Sequence, residues 1–307
     1  MARRRGTLDR DRGLLVRMTG TMFLLGLLYV ILFVVLVQGL GVALPFVIAI
    51  AGGLLVVQYW TSDKIALASA HARVVTESEA PELHAIVQRL CLTAGLPMPR
   101  IAIAPTDMPN AFATGRSPKH AAVAVTQGLL ARLEPHELEG VLAHELSHVA
   151  HRDVAVMTLA SFFAMVAGFI TRWGFYFGGM FGGGFGGRNN RDSSGMSFMV
   201  VLLVSIVVYA ISFVLIRTLS RYREFAADRG AAILTKSPSS LASALVKISG
   251  AMSRIPQEDM RMAEGLNQFF IIPARLKSGI STLVSDHPPL EARLEQLRRL
   301  ERQLETL

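Results

Sequence analysis

The chain has 307 residues, of which 51% are apolar and only 18% charged, and its 31 Lys and Arg against 23 Asp and Glu leave a formal net charge of +8. Much of that basic excess is arginine flanking long apolar runs, and no nucleic-acid motif accompanies it, so no nucleic-acid partner is expected. The lone cysteine, Cys91, excludes an internal disulfide framework.

No Asp, Glu, Lys or Arg occurs between Met18 and Ser62. Such a run can hold two membrane-spanning helices of about 20 residues each, with a turn at Gln38-Gly39-Leu40-Gly41. It is too long for the apolar core of a cleaved signal peptide, and no A-x-A site ends it. Arg3, Arg4, Arg5, Arg10, Arg12 and Arg17 precede it, which by the positive-inside rule places this end in the cytoplasm. Glu79 to Leu96 then reads as a helix with Pro81 in its first turn. Arg100 to Ala104, Asn110 to Gly115 and Ala121 to Thr126 read as short strands, with a turn at Arg116-Ser117-Pro118.

A helix from about Glu134 to His151, with Pro135 in its first turn, carries His144-Glu145-Leu146-Ser147-His148. Histidines four apart on a helix project from one face and can grip one Zn²⁺ at about 2.0–2.1 Å. The glutamate beside the first histidine is placed to take a proton from an activated water, the HExxH arrangement of zinc metalloproteases. The plainer alternative is two histidines on an ordinary amphipathic helix. If that helix ran on without a break into the next apolar run, the site would lie roughly 9 Å from its start; a break at Arg152-Asp153 would remove that constraint.

Val154 to Thr171 and Ser193 to Ile216 are two further uncharged runs of near-spanning length, and Gly174 to Gly187 between them holds eight glycines interleaved with Phe and Met. The first could instead be a buried core helix. Two hairpins would place Asp63–Asp153 and Arg217–Leu307 on the cytoplasmic side. Past Pro238 the chain reads as helical, with an apolar stripe at Leu290, Leu294, Leu297, Leu300 and Leu304.

A catalytic zinc takes three protein ligands and leaves one position open. The third is sought in Ser220-Arg221-Tyr222-Arg223-Glu224-Phe225-Ala226-Ala227-Asp228, where Glu224 and Asp228 share a helical face. Glu224 could bind the metal and Asp228 could orient a ligating imidazole. Two solvated carboxylates paired with neighbouring arginines is the bland alternative. His287 and Arg221 are candidates for stabilising the transition state, with a capping residue and a membrane-flanking cation as their ordinary readings. Asn110, Ala111, Phe112 and Ala113 could form an edge strand on which an extended peptide adds by main-chain hydrogen bonds.

HELSH, followed after a two-span hairpin by SRYREFAAD, with NAFATG upstream and DHPPLEARL downstream, resembles the HtpX family of membrane zinc endopeptidases, itself distantly similar to the CAAX prenyl proteases. The resemblance implies one Zn²⁺ per chain held by His144, His148 and Glu224, with Glu145 as catalytic base. It also implies unfolded or misfolded proteins as substrates, in membrane-protein quality control.

The expected fold class is therefore an α+β membrane protein. About four transmembrane helices would carry a mainly helical, zincin-like cytoplasmic domain containing a small β-sheet. Its parts would be a basic tail (1–17), a hairpin (18–58), a first catalytic segment (59–153), a second hairpin (154–216, with a Gly-rich loop at 174–195) and a second catalytic segment (217–307). The expected location is the inner cell membrane, multi-pass, with the site facing the cytoplasm. Two competing readings are an intramembrane protease, against which Arg152 and Asp153 argue, and a membrane scaffold that keeps zinc for stability.

Overall fold

Helices dominate, with one small sheet among them. The computed structural model describes residues 12–40, 44–153, 155–162, 165, 166, 168, 191–254, 271 and 287–306. Residues 154, 163, 164, 167 and 169–171 of the run at 154–171, the Gly-rich loop as far as 190, and Asp286 lie outside them; the last residues of the loop expected at 174–195 are helical from Arg191 onward. The chain divides into two units, one of Met1–Leu15, Thr61–Ala155 and Ser220–Leu307, the other of Val16–Trp60 and Val156–Leu219.

The second unit takes most of helix α1 (Arg12–Leu40), the start of α2 (Leu44–Ser69) and the larger part of α6 (Arg191–Thr235). Leu25, Tyr29 and Leu32 pack with Ala160, Val201 and Val208. Phe23, Val34, Met199 and Leu203 instead expose apolar side chains, as lipid-facing helices do. Two stretches, Gly13–Val35 and Met199–Thr235, are long and apolar enough to cross a membrane among the described residues. Helix α1 runs through Leu40, so the turn expected at Gln38-Gly39-Leu40-Gly41 does not begin before that residue. An unbroken apolar sequence offers no stop signal earlier.

In the first unit, β1 (Arg73–Val74), β2 (Arg100–Ala104), β3 (Ala111–Thr114) and β4 (Ala122–Thr126) form a mixed sheet in the order β1-β2-β4-β3. β2 and β4 run parallel, with Ala102 opposite Ala124, while β3 runs antiparallel to β4, with Phe112 opposite Ala124. The apolar residues of β4 read Ala-Val-Ala-Val and all are buried, as befits an inner strand covered on both faces. Val123 and Val125 join the main core with Leu83, Val87 and Leu90 of α3 (Pro81–Ala94) and Leu142 and Leu146 of α5 (Pro135–His151). Ala122 and Ala124 pack with Ala66 and Leu67 at the end of α2, a junction further held by Arg100 to Asp63 at 2.6 Å. β1 and β3 are the sheet's two outer strands.

After the short α4 (Gln127–Leu130), α5 starts at a capping box, with Glu134 as N-cap, Pro135 in the first turn and Glu137 three residues on. Its one glycine permits a close approach: a Cβ at Gly140 would lie 2.9 Å from the backbone nitrogen of Leu241 in α7 (Pro238–Met252). Glu137 is buried and accepts hydrogen bonds from Ser243 Oγ (2.6 Å), Lys247 Nζ (2.8 Å) and the Glu134 N–H (2.9 Å). Burial opposes ionisation, but these donors outweigh it and hold the carboxyl below its usual range. Replacing Glu137 with alanine is expected to cost about 1–3 kcal/mol, because several donors lose their acceptor. The contribution should be present above the ordinary carboxylate range and fade as pH falls through the lowered folded-state value. Denaturant unfolding of wild type and Glu137→Ala at two pH values checks both points.

Candidate metal centre

Every residue of the site comes from the first unit. α5 carries His144, Glu145 and His148, all buried, and the last turns of α6 carry Glu224 and Asp228, also buried. His144 and His148 sit one turn apart, so their rings meet edge to face with Nε2 atoms 3.2 Å apart. The Glu224 carboxylate closes the triangle, with Oε2 3.5 Å from His144 Nε2 and Oε1 3.5 Å from His148 Nε2. Ligands about 2.0–2.1 Å from a common tetrahedral centre stand roughly 3.3 Å apart, so these three atoms can hold one metal ion. They are the one group of three His, Cys, Asp or Glu side chains so converged among the described residues.

The opposite side of each imidazole makes the case stronger. His144 Nδ1 donates to Asp228 Oδ1 at 2.9 Å, and His148 Nδ1 donates to Asp153 Oδ2 at 2.7 Å. With both Nδ1 protons so engaged, the two Nε2 atoms turn lone pairs toward each other and toward a carboxylate. Three acceptors converging in a buried space require a cation between them. Without a metal that cation is a proton: burial disfavours the charged ring of His144, yet Asp228 and Glu224 overcome this and raise it to about 9. Glu224 stays ionised, since His287, His144 and Arg293 outweigh its burial and hold it well below the usual range. The donor set of two imidazoles and a carboxylate suits zinc.

Glu145 lies beside this cluster and accepts a hydrogen bond from the Ala113 N–H of β3 at 2.9 Å. Burial pushes its carboxyl up; the imidazoles of His144 and His148 pull it back, and the Glu224 charge adds to the rise. A carboxyl shifted in this direction holds a proton more readily than a free one, as a group that accepts a proton and passes it on must. His287 approaches Glu224, with Nδ1 3.2 Å from Oε2. Arg221 is partly exposed, three residues before Glu224. Asn110 turns out to be a clasp: its Oδ1 accepts from the Ile271 N–H, and its main-chain groups pair with Thr126. Ala111 and Phe112 are buried in β3.

The structure adds three residues that sequence reasoning missed. Arg293, from α8 (Leu290–Glu305), is fully buried and grips Asp228 with two hydrogen bonds of 2.6 and 2.9 Å. It also donates to the Ile271 carbonyl at 2.9 Å and reaches Glu224 at 3.5 Å. Its signal was available: it lies three residues after Leu290 and four before Leu297, on the stripe expected to be buried. Asp153 and Arg223 form a second pair at 3.2 Å behind His148. Helix α5 stops at His151, and Arg152 adopts left-handed backbone (φ 59°, ψ 30°). A distance along an uninterrupted helix from His148 to the following apolar run therefore does not apply.

The sequence profile of peptidase family M48 matches residues 77–301. The chain belongs to this family. It is 57% identical over 301 residues to a protease HtpX homolog of Moorella thermoacetica, covering 98% of this chain and 99% of that one. It is 52% identical over 296 residues to protease HtpX homolog 2 of Methanosarcina acetivorans (96% and 98%), and 43% identical over 294 residues to a protease HtpX homolog of Pyrococcus furiosus (94% and 96%). The fold is similar to that in the crystal structure of Ste24p from S. mikatae, with a TM-score of 0.54 at 19% identity, covering 93% of this chain and 66% of the other. The resemblance carried by HELSH and SRYREFAAD is thus correct at the level of family, and the protein is a membrane metalloprotease.

Proposed function

We propose that this chain is a multi-pass zinc endopeptidase that cleaves unfolded or damaged proteins at the cytoplasmic face of the inner membrane, as a part of protein quality control. The observation that carries the reading is the triangle of His144, His148 and Glu224 with Glu145 against it. Zinc held there would supply a Lewis acid that acidifies water and polarises the peptide carbonyl. The Glu145 carboxylate takes the proton of the attacking water and hands it to the departing amine. Its hydrogen bond to Ala113 holds it in place meanwhile. His287, at the edge of the cluster, is placed to donate to the developing oxyanion; Arg221 is the alternative donor.

The substrate would lie extended along β3, over Ala111, Phe112 and Ala113; Asn110, whose main-chain groups pair with Thr126, would not take part. Main-chain pairing there is largely blind to side chains, which suits a protease acting on unfolded chains. About four spans, in hairpins at 18–58 and 154–216, would return both catalytic segments, 59–153 and 217–307, to one side.

The test pairs metal content with activity. Purified protein should hold one zinc per chain and hydrolyse an unfolded protein such as reduced casein, and a chelator should abolish cleavage. Zinc-loaded protein that cleaves nothing would favour the scaffold reading. Topology has its own check in a Cys91→Ala background with single cysteines at 117, 189 and 239. Positions 117 and 239 should label from the cytoplasm and 189 from outside; labelling of 117 and 239 from opposite sides would overturn the shared site.

A further inference from the structure

The two imidazoles that face the cation space are each backed by an aspartate, and each aspartate by an arginine. His144 has Asp228 and then Arg293; His148 has Asp153 and then Arg223. The first set links residues of three helices. The second comes from a break in the chain. Asp153 stands five residues after His148, and on a continuous α-helix that spacing turns a side chain about 140° away. The left-handed residue Arg152 ends the helix and brings the Asp153 carboxylate back under the His148 ring, at 2.7 Å. Left-handed backbone is unfavourable for a non-glycine residue, so this geometry is maintained by what it brings together. Asp153 itself is fully buried, and Arg223 Nε stands 3.2 Å from the same carboxylate oxygen.

We propose that Asp153, delivered by the Arg152 break and charge-paired with Arg223, is the positioning residue that fixes His148 with Nε2 toward the metal. The assignment rests on the metal-site reading above. It follows from geometry that a carboxylate on Nδ1 fixes the ring's tautomer and rotation and strengthens the other nitrogen as a ligand. The pair has a second effect. Arg223 is the neighbour of Glu224, so its ion pair with Asp153 links the end of α5 to the turn of α6 that carries the third ligand. The spacing between His148 and Glu224 is thereby set from outside the cluster, as Arg293 and Asp228 set it for His144.

The experiment measures zinc affinity of the full-length protein by competition with a chromophoric chelator, together with the visible absorption spectrum of the Co²⁺-substituted form. Asp153→Ala should weaken zinc binding by about 10–100-fold and alter the Co²⁺ spectrum. Asp153→Asn keeps an oxygen that can accept from Nδ1–H, and should recover most of the loss while remaining at least threefold weaker than wild type. A purely structural role would lower the melting temperature of the metal-free protein yet leave affinity and spectrum unchanged in the folded fraction. Wild-type affinity and spectrum in Asp153→Ala would overturn the proposal. If that variant does not fold, the same result in Asp153→Asn overturns it. Wild-type protein that binds no zinc would instead refute the metal site itself, independently of Asp153.

Discussion

Glu145→Ala is expected to lower peptide hydrolysis by about 10²–10⁴-fold while the protein still takes up metal. The two outcomes separate because Glu145 is not one of the three atoms of the triangle. His144, His148 and Glu224 converge on one point, and Glu145 instead bonds outward to Ala113. Its removal leaves the triangle standing. It also leaves the Ala113 N–H without its acceptor, a main-chain loss of about 1 kcal/mol that should be visible only in stability. Metal analysis and initial rates on one preparation give the answer, and hydrolysis at the wild-type rate would remove Glu145 from the mechanism.

Glu224→Ala should lose metal and activity together. The effect on affinity should exceed the roughly 10–100-fold that removal of an orienting partner costs, because a ligand atom itself disappears. Electrostatics add to the loss: the Arg293 guanidinium lies 3.5 Å from this carboxylate, and without it directs positive charge toward an incoming cation. Asp228→Asn, which keeps an acceptor for His144, should fall between this variant and wild type. Full metal occupancy in Glu224→Ala at wild-type affinity would send the search for a third ligand elsewhere.

The sequence made one half of this site plain and hid the other. HELSH declares itself because histidines at a helical spacing with an intervening glutamate have few other uses. Glu224 and Asp228 were legible from the same four-residue spacing. The strands β2 and β4 were legible too, from their Ala, Ile and Val residues between turns. Asp153 was hidden because an acidic residue next to an apolar run reads as a membrane flank, and no pattern announces left-handed backbone at an arginine. Arg293 was hidden among leucines, where a lone cation is easily taken for a solvated neighbour. Asn110 was read for its main chain, whereas its side chain holds Ile271. Arg293 and Asn110 are buried polar groups whose partners lie far along the chain, and Asp153 reaches nearby His148 only through a break in the helix; local periodicity carries no information about either.

Arg293 lies 149 residues from His144, and that separation sets an order of events at the ribosome. At about 5–20 residues per second, the two imidazoles are made roughly 7–30 s before the guanidinium that charge-balances Asp228 and Glu224. Asp228 and Glu224 precede Arg293 by 65 and 69 residues, so for the last roughly 3–14 s of that interval they have no counter-cation from α8 and repel one another in whatever structure has formed. A protease that must be synthesised among unfolded nascent chains, itself included, thus acquires the counter-charge of this site only when α8 docks.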